Sequence, residues 1–268
     1  MRLSIVNLHL IVLLNILILL VSSIQFFIHT FLFFIIEYHM KKSLVVANII
    51  IVAMFIALIG LSFSNSLALE TKADSRVIYQ GNTSLNNICF MVNVYQGNEY
   101  IEQMLDIFDI YNVKTTFFVG GSWAVKNIDL VKEIYARGHE LGNHGFYHKD
   151  QDKLDFETNC QEIDLCHKVV SENLGVNMSL FAPPSGAYNV TTVDAAVSLN
   201  YTTIMWTRDT IDWRDQDANL IYNRAIKDLS NGDLVLMHPT EKTVEALSDI
   251  LEYAKNNGFN PTTVTNCL

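Results

Sequence analysis

"KTTFFVGGSWAVKNIDLVKEIYARGHELGNHGFYH", residues 114–148, holds two strand-like runs around one helical run. "KTTFFVGG" (114–121) is rich in Thr, Phe and Val, which suit a pleated, buried surface. "AVKNIDLVKEIYARG" (124–138) reads as a helix that closes on a glycine. A second strand then leads into "GNHG". Strand, helix and strand in succession make a unit whose two strands lie parallel. His144 and His148 stand four apart, but glycine costs a helix about 1 kcal/mol per position, so Gly142 and Gly145 put them in a strand end and loop. The metalloprotease helix H-E-x-x-H is excluded, because Asn143 stands where its second histidine belongs.

The alternation extends outward from this unit. Upstream lie a strand, "ICFMV" (88–92), and a helix over 99–112. Downstream a long helix fills 153–174, and "SLFA" (179–182) precedes a helix near 190–200. "YTTIMWT" (201–207) and "DLVLMH" (233–238) precede helices at 217–230 and 241–257, and "PTTVT" (261–265) is the last strand. Seven or so such units in this length imply an α/β fold, a small parallel β/α barrel that is either closed or incomplete. Asn93, His144, Ser185, Asp209, Asp212 and His238 each fall at or just past a strand's C-terminal end. In parallel β/α folds those ends converge on one mouth, where sites form.

The 268 residues carry a formal net charge of −10, which argues against a nucleic-acid groove and its clustered Lys and Arg. Half the residues are apolar, and much of that excess lies in residues 3–36 and 43–64. "MKKSLVVANIIIVAMFIALIGLSFSNSLALE" (40–70) has the parts of an export signal: Lys41 and Lys42, an apolar run, and a small-x-small Ser66-Leu67-Ala68. The run also has the ~20 residues of an uncleaved membrane anchor. Residues 1–39 read as an extra span or as a start placed too early; the self-sufficiency of 40–70 favours Met40 as the true start. Either way the C-terminal domain is expected outside the cytoplasmic membrane. A polar linker is expected at about 71–86, and one domain over 87–268. Cys89, Cys160, Cys166 and Cys267 have no C-x-x-C spacing, so neither a zinc knuckle nor a redox pair is indicated.

From about residue 88 onward the chain resembles the NodB-like polysaccharide deacetylases, carbohydrate esterase family 4. That family carries T-F-D-D-G, H-x-x-x-H, R-x-P-Y-G, D-x-x-D-W and L-x-H in order. Here "VNVYQG" (92–97), "HGFYH" (144–148), "APPSG" (182–186), "DTIDW" (209–213) and "LMH" (236–238) occupy those places. The resemblance implies amide hydrolysis on N-acetylated cell-wall glycan, such as peptidoglycan or chitin-like oligomers, by an exported or membrane-anchored enzyme. It implies a divalent metal, often zinc, on His144 and His148, which polarises the acetamide and its water. His238 would protonate the leaving amine, with Asp212 orienting it. Trp213 would form an aromatic wall, Leu236 would sit at the acetyl pocket, and Ser185 would offer a backbone N–H to the oxyanion.

The first motif departs from the pattern. Asn93 stands where the general base is expected, and the metal carboxylate's place falls near Tyr95 or Val94. Ala182 replaces the third-motif arginine, which in the family pairs with the base aspartate. Both charges are therefore gone together, and a buried arginine without its carboxylate would be strongly destabilising. Two readings follow: a deacetylase with an altered metal shell and a substitute base at Glu99, Asp150 or Asp152, or a weak or inactive relative that still binds glycan, with Trp213, Tyr95 and Tyr147 available to stack on sugars.

Overall fold

The computed structural model describes residues 19–28, 30, 48–56 and 74–268. They belong to two compact units, Met1–Ala73 and Asp74–Leu268. In the first, residues 19–28 and 48–56 are helical and largely exposed. Among the described residues no helix is long and apolar enough to cross a membrane. Lys41, Lys42 and the Ser66-Leu67-Ala68 triplet lie outside the described residues, as does most of both apolar runs read as span, signal or anchor.

The second unit is built on nine strands: β1 Val77–Ile78, β2 Asn87–Val94, β3 Thr116–Val119, β4 Glu140–Asn143, β5 Leu180–Phe181, β6 Thr202–Ile204, β7 Arg208–Asp209, β8 Leu234–Met237 and β9 Asn260–Pro261. Their order is β1-β6-β5-β4-β3-β2-β8-β7, with β9 added to the start of β2, and every pairing is parallel. The helices are α1 Asn98–Ile110, α2 Gly121–Lys126, α3 Ile128–Ala136, α4 Phe156–Leu174, α5 Val190–Ser198, α6 Ala218–Ile226, α7 Glu241–Asn256 and α8 Val264–Cys267. Residues 205–207 carry the chain from β6, near one edge of the sheet, to β7 at the other. Four Cα steps reach only about 14 Å, so the sheet must curl almost into a barrel.

The period of two along each strand decides what faces inward. Ile88, Phe90, Val92 and Val94 pack outward with the helices, whereas Cys89 and Met91 join Phe118, Leu180, Ala182, Ile204, Leu234 and Leu236 in a separate interior cluster. Continuing that inward row upward gives Asn93 after Met91, His144 after Gly142, and His238 after Leu236. Gly142 is required there, because a Cβ would come within 2.4 Å of the Phe118 ring. The strands read as near-continuous apolar runs because both faces are covered.

The structure departs from the expected elements in three places. The helix expected over 124–138 is broken at Asn127, whose side-chain N–H donates back to the Trp123 carbonyl at 2.9 Å and competes with the helical pattern. The strand expected over 261–265 ends after Pro261, because Thr263 caps α8. Part of the stretch read as a linker supplies β1, whose Val77 and Ile78 pair with Thr203 and Ile204.

His139, at the foot of β4, is 1% exposed between Phe108 and Phe117. Its Nδ1 accepts from Thr115 N–H at 3.2 Å, and its Nε2 has no partner. Burial, with Lys114 nearby, pushes its pKa from the ordinary 6.5 down to about 4. The unfolded chain therefore takes up the proton first as pH falls, and stability present above pH 6.5 is lost progressively towards pH 4, by about 3 kcal/mol. Urea midpoints measured from pH 7 to 4 should show this loss, and His139→Gln should flatten it. An unchanged slope in that variant would refute the assignment.

Candidate active site

At the mouth, Asn93 is 3% exposed and its Oδ1 is buried without a hydrogen-bond partner. His144 follows β4, and its Nδ1 lies 2.7 Å from the Ala182 carbonyl. That carbonyl only accepts, so Nδ1 carries the hydrogen and Nε2 keeps its lone pair. The His144 and His148 rings approach edge to face, with centroids 5.1 Å apart. Burial and the neighbouring His148 push the His144 pKa to about 3, and burial also lowers that of His148. His238, two residues beyond the inward-facing Leu236, is near enough to both for a charge on its ring to oppose their protonation.

The opposite wall is a compact charge network. Asp212 is fully buried. It accepts from the His238 ring Nδ1 at 2.7 Å, the His238 backbone N–H at 2.6 Å and the Thr243 hydroxyl at 2.6 Å. His238 Nε2 is thereby turned away from the carboxylate, free to hand a proton to a bound group. Asp212 is delivered by an unusual turn: Ile211 has φ 55, and the Asp209 carboxylate accepts its N–H at 2.8 Å. A β-branched residue in the left-handed region costs about 1–2 kcal/mol. Burial raises the Asp209 pKa, partly offset by that hydrogen bond and by His238.

The remaining candidates are placed as follows. Leu236 is 3% exposed in the barrel interior. Trp213 is exposed on the rim, with the Arg214 guanidinium 5.9 Å from its ring. Ser185 lies in the short Pro184–Gly186 turn with φ 56, and its hydroxyl is near enough to Asp150 to favour the carboxylate's charged form. Tyr95 is not directed into the barrel. Its ring lies 4.7 Å from the His148 ring and against Gly120, where a Cβ would come within 2.6 Å of Tyr95. Its hydroxyl accepts from Ser122 at 3.1 Å.

A divalent cation of the expected kind needs three protein ligands and, in a catalytic site, an open position. The structure supplies two neutral imidazoles and the orphaned amide oxygen of Asn93. Among the described residues no three His, Cys, Asp or Glu side chains come together as a metal site. The residues present therefore do not fit the complete shell that the resemblance implies. Glu99 is exposed on the first turn of α1, and Asp152 is exposed next to Asp150. Thr243, Asn143 and Glu162 also serve the site. They have no motif spacing, and only the Thr240–Thr243 cap signal at the start of α7 points to one of them.

The polysaccharide deacetylase family profile matches residues 84–204. A peptidoglycan-N-acetylglucosamine deacetylase of Bacillus cereus is 33% identical over 175 residues, covering 63% of this chain and 82% of its own length. This chain belongs to the polysaccharide deacetylase family. The uncharacterized protein YlxY of Bacillus subtilis is 38% identical over 188 residues, 70% of this chain, and the match spans 59% of YlxY. Among solved structures, a CE4 family pseudoenzyme from Bacillus anthracis superposes with a TM-score of 0.70 at 31% identity, covering 71% of this chain and 68% of that one. A mutant of that pseudoenzyme with restored enzymatic activity superposes equally well, with a TM-score of 0.70. The chain is thus similar both to a peptidoglycan-N-acetylglucosamine deacetylase and to a CE4 family pseudoenzyme.

Proposed function

We propose that this chain is a glycan-binding member of the family at the cell envelope, directed at N-acetylated peptidoglycan strands, with a hydrolytic half-site that has been disabled. The observation that carries this reading is the buried, unpartnered Oδ1 of Asn93, which shares the barrel's inward face with Phe118 and the Gly142 that precedes His144 by two. An amide cannot take a proton from water at any useful pH, and an uncharged shell holds a dication weakly. The opposite half, Asp212 with His238, stays whole. It gives the mouth a ring nitrogen that can hydrogen-bond the acetamido group of a bound sugar.

A second reading, slow hydrolysis with a substitute base, has one observation behind it. The Asp150 carboxylate lies close enough to His148 for their charges to interact. Its pKa is lowered, first by its hydrogen bond from Lys153, and a carboxylate held in the charged form is a poor base. The test is direct. The purified domain should bind N-acetylglucosamine oligomers, release no acetate from them above background, and retain less than one zinc per chain after gel filtration. Acetate release abolished by Asp150→Asn would establish the second reading instead.

A further inference from the structure

The loop carrying both imidazoles is held almost peptide by peptide. Asn143 Oδ1 accepts from Gly145 N–H at 2.9 Å, and Gly121 N–H donates to the Gly145 carbonyl at 2.8 Å. Ser122 N–H donates to the Phe146 carbonyl at 2.9 Å. The N–H groups of Phe146 and Tyr147 both donate to one oxygen of Glu162, at 3.0 and 2.7 Å. The other Glu162 oxygen lies 2.9 Å from Lys149 Nζ.

Glu162 sits in the middle of α4 and is 2% exposed. A buried carboxylate is costly unless charge-assisted bonds satisfy it, and here two backbone donors and an ammonium do so. The loop needs such a hold, because His148 has φ 56. A non-glycine residue stays in that region only where its surroundings over-determine it. The same ammonium lies 5.1 Å from the centroid of the exposed Tyr147 ring. One carboxylate therefore fixes two amides of the loop and, through Lys149, its rim aromatic.

We propose that Glu162 is a positioning residue of the mouth. It sets the 146–148 backbone so that His148 lies against His144, and it makes Tyr147 with Lys149 a rigid platform for the face of a pyranose ring. The platform part rests on the glycan-binding reading above; the backbone part does not.

Glu162→Gln keeps the side-chain volume and removes the charge. It should raise hydrogen exchange at the Phe146 and Tyr147 amides by at least ~10-fold while the amides of α4 keep their rates. It should also weaken binding of an N-acetylglucosamine tetramer by about 10-fold. Asp164→Asn, on the same helix but paired with Lys168, should change neither. Should Glu162→Gln not fold, Glu162→Asp withdraws the charge by one methylene and is read in the same way. Unchanged exchange at both amides would overturn the positioning role. A normal tetramer affinity despite raised exchange would overturn the platform. If the wild type binds no tetramer, the glycan-binding reading itself falls, and the exchange data alone decide the role of Glu162.

Discussion

A chain carrying Asn93→Asp, Tyr95→Asp and Ala182→Arg together should release acetate from N-acetylglucosamine oligomers at least ~100-fold faster than the wild type. Each change addresses a separate deficit. Tyr95→Asp removes the ring lying on His148 and offers a carboxylate to an ion that now meets only neutral donors. Asn93→Asp supplies a base, but the position is 3% exposed, and desolvation alone would push the new carboxyl towards its protonated form. Ala182 is fully buried among Phe118, Leu180 and Leu236, so an arginine there without a partner is an uncompensated charge. The two belong together, and a double-mutant cycle in urea should give about 2–4 kcal/mol of favourable coupling between Asn93→Asp and Ala182→Arg. The larger side chain must still thread past packed neighbours, at a cost of about 1–3 kcal/mol. Acetate release and zinc content, measured on the same samples, decide the matter. A triple variant no faster than the wild type would show that the lost activity does not reside in this half-site.

Asp212→Ala should destabilise the domain by about 3–5 kcal/mol, an effect read directly from chemical denaturation. The carboxylate is fully buried and is the acceptor for three donors: the backbone and ring of His238 and the Thr243 hydroxyl. Removing it leaves both His238 donors without an acceptor inside the protein and the Thr243 hydroxyl with only the Thr240 hydroxyl, 2.8 Å away. Asp212→Asn should recover only part of the loss, since its amide presents hydrogens to groups that are themselves donors. Because Thr243 belongs to the first turn of α7 and His238 follows β8, the damage should spread to the seam between them. A loss below about 1 kcal/mol would mean that water replaces the carboxylate and that the network contributes little to stability.

The fold was legible because parallel strands covered on both faces leave long apolar runs, and the alternation of those runs with helices admits few topologies. The facing of the site was legible too: counting by twos from Met91, Gly142 and Leu236 leads to Asn93, His144 and His238. What could not be read was the support. Glu162 and Asn143 reach the site from a mid-helix and a strand-end position that look ordinary in sequence, and β1 is only two residues long. Tyr95 was placed only approximately, at the missing carboxylate or on a sugar; its seat against Gly120 and His148 depends on how two loops meet. The break at Asn127 and the cap at Thr263 depend on side-chain bonds that compete locally with the regular pattern.

Strand β2 has consequences for how the chain is made. Its neighbours are β3, soon after it in sequence, and β8 and β9, which come from the last part of the chain. Roughly 140 residues separate the end of β2 from the start of β8, so at about 5–20 residues per second synthesis leaves one apolar edge of β2 unpaired for on the order of 10 seconds. An uncovered strand edge of this kind recruits other strands. The nascent chain should therefore depend on a holding factor, or on passage through a membrane in an extended state, until nearly its last residues have been added.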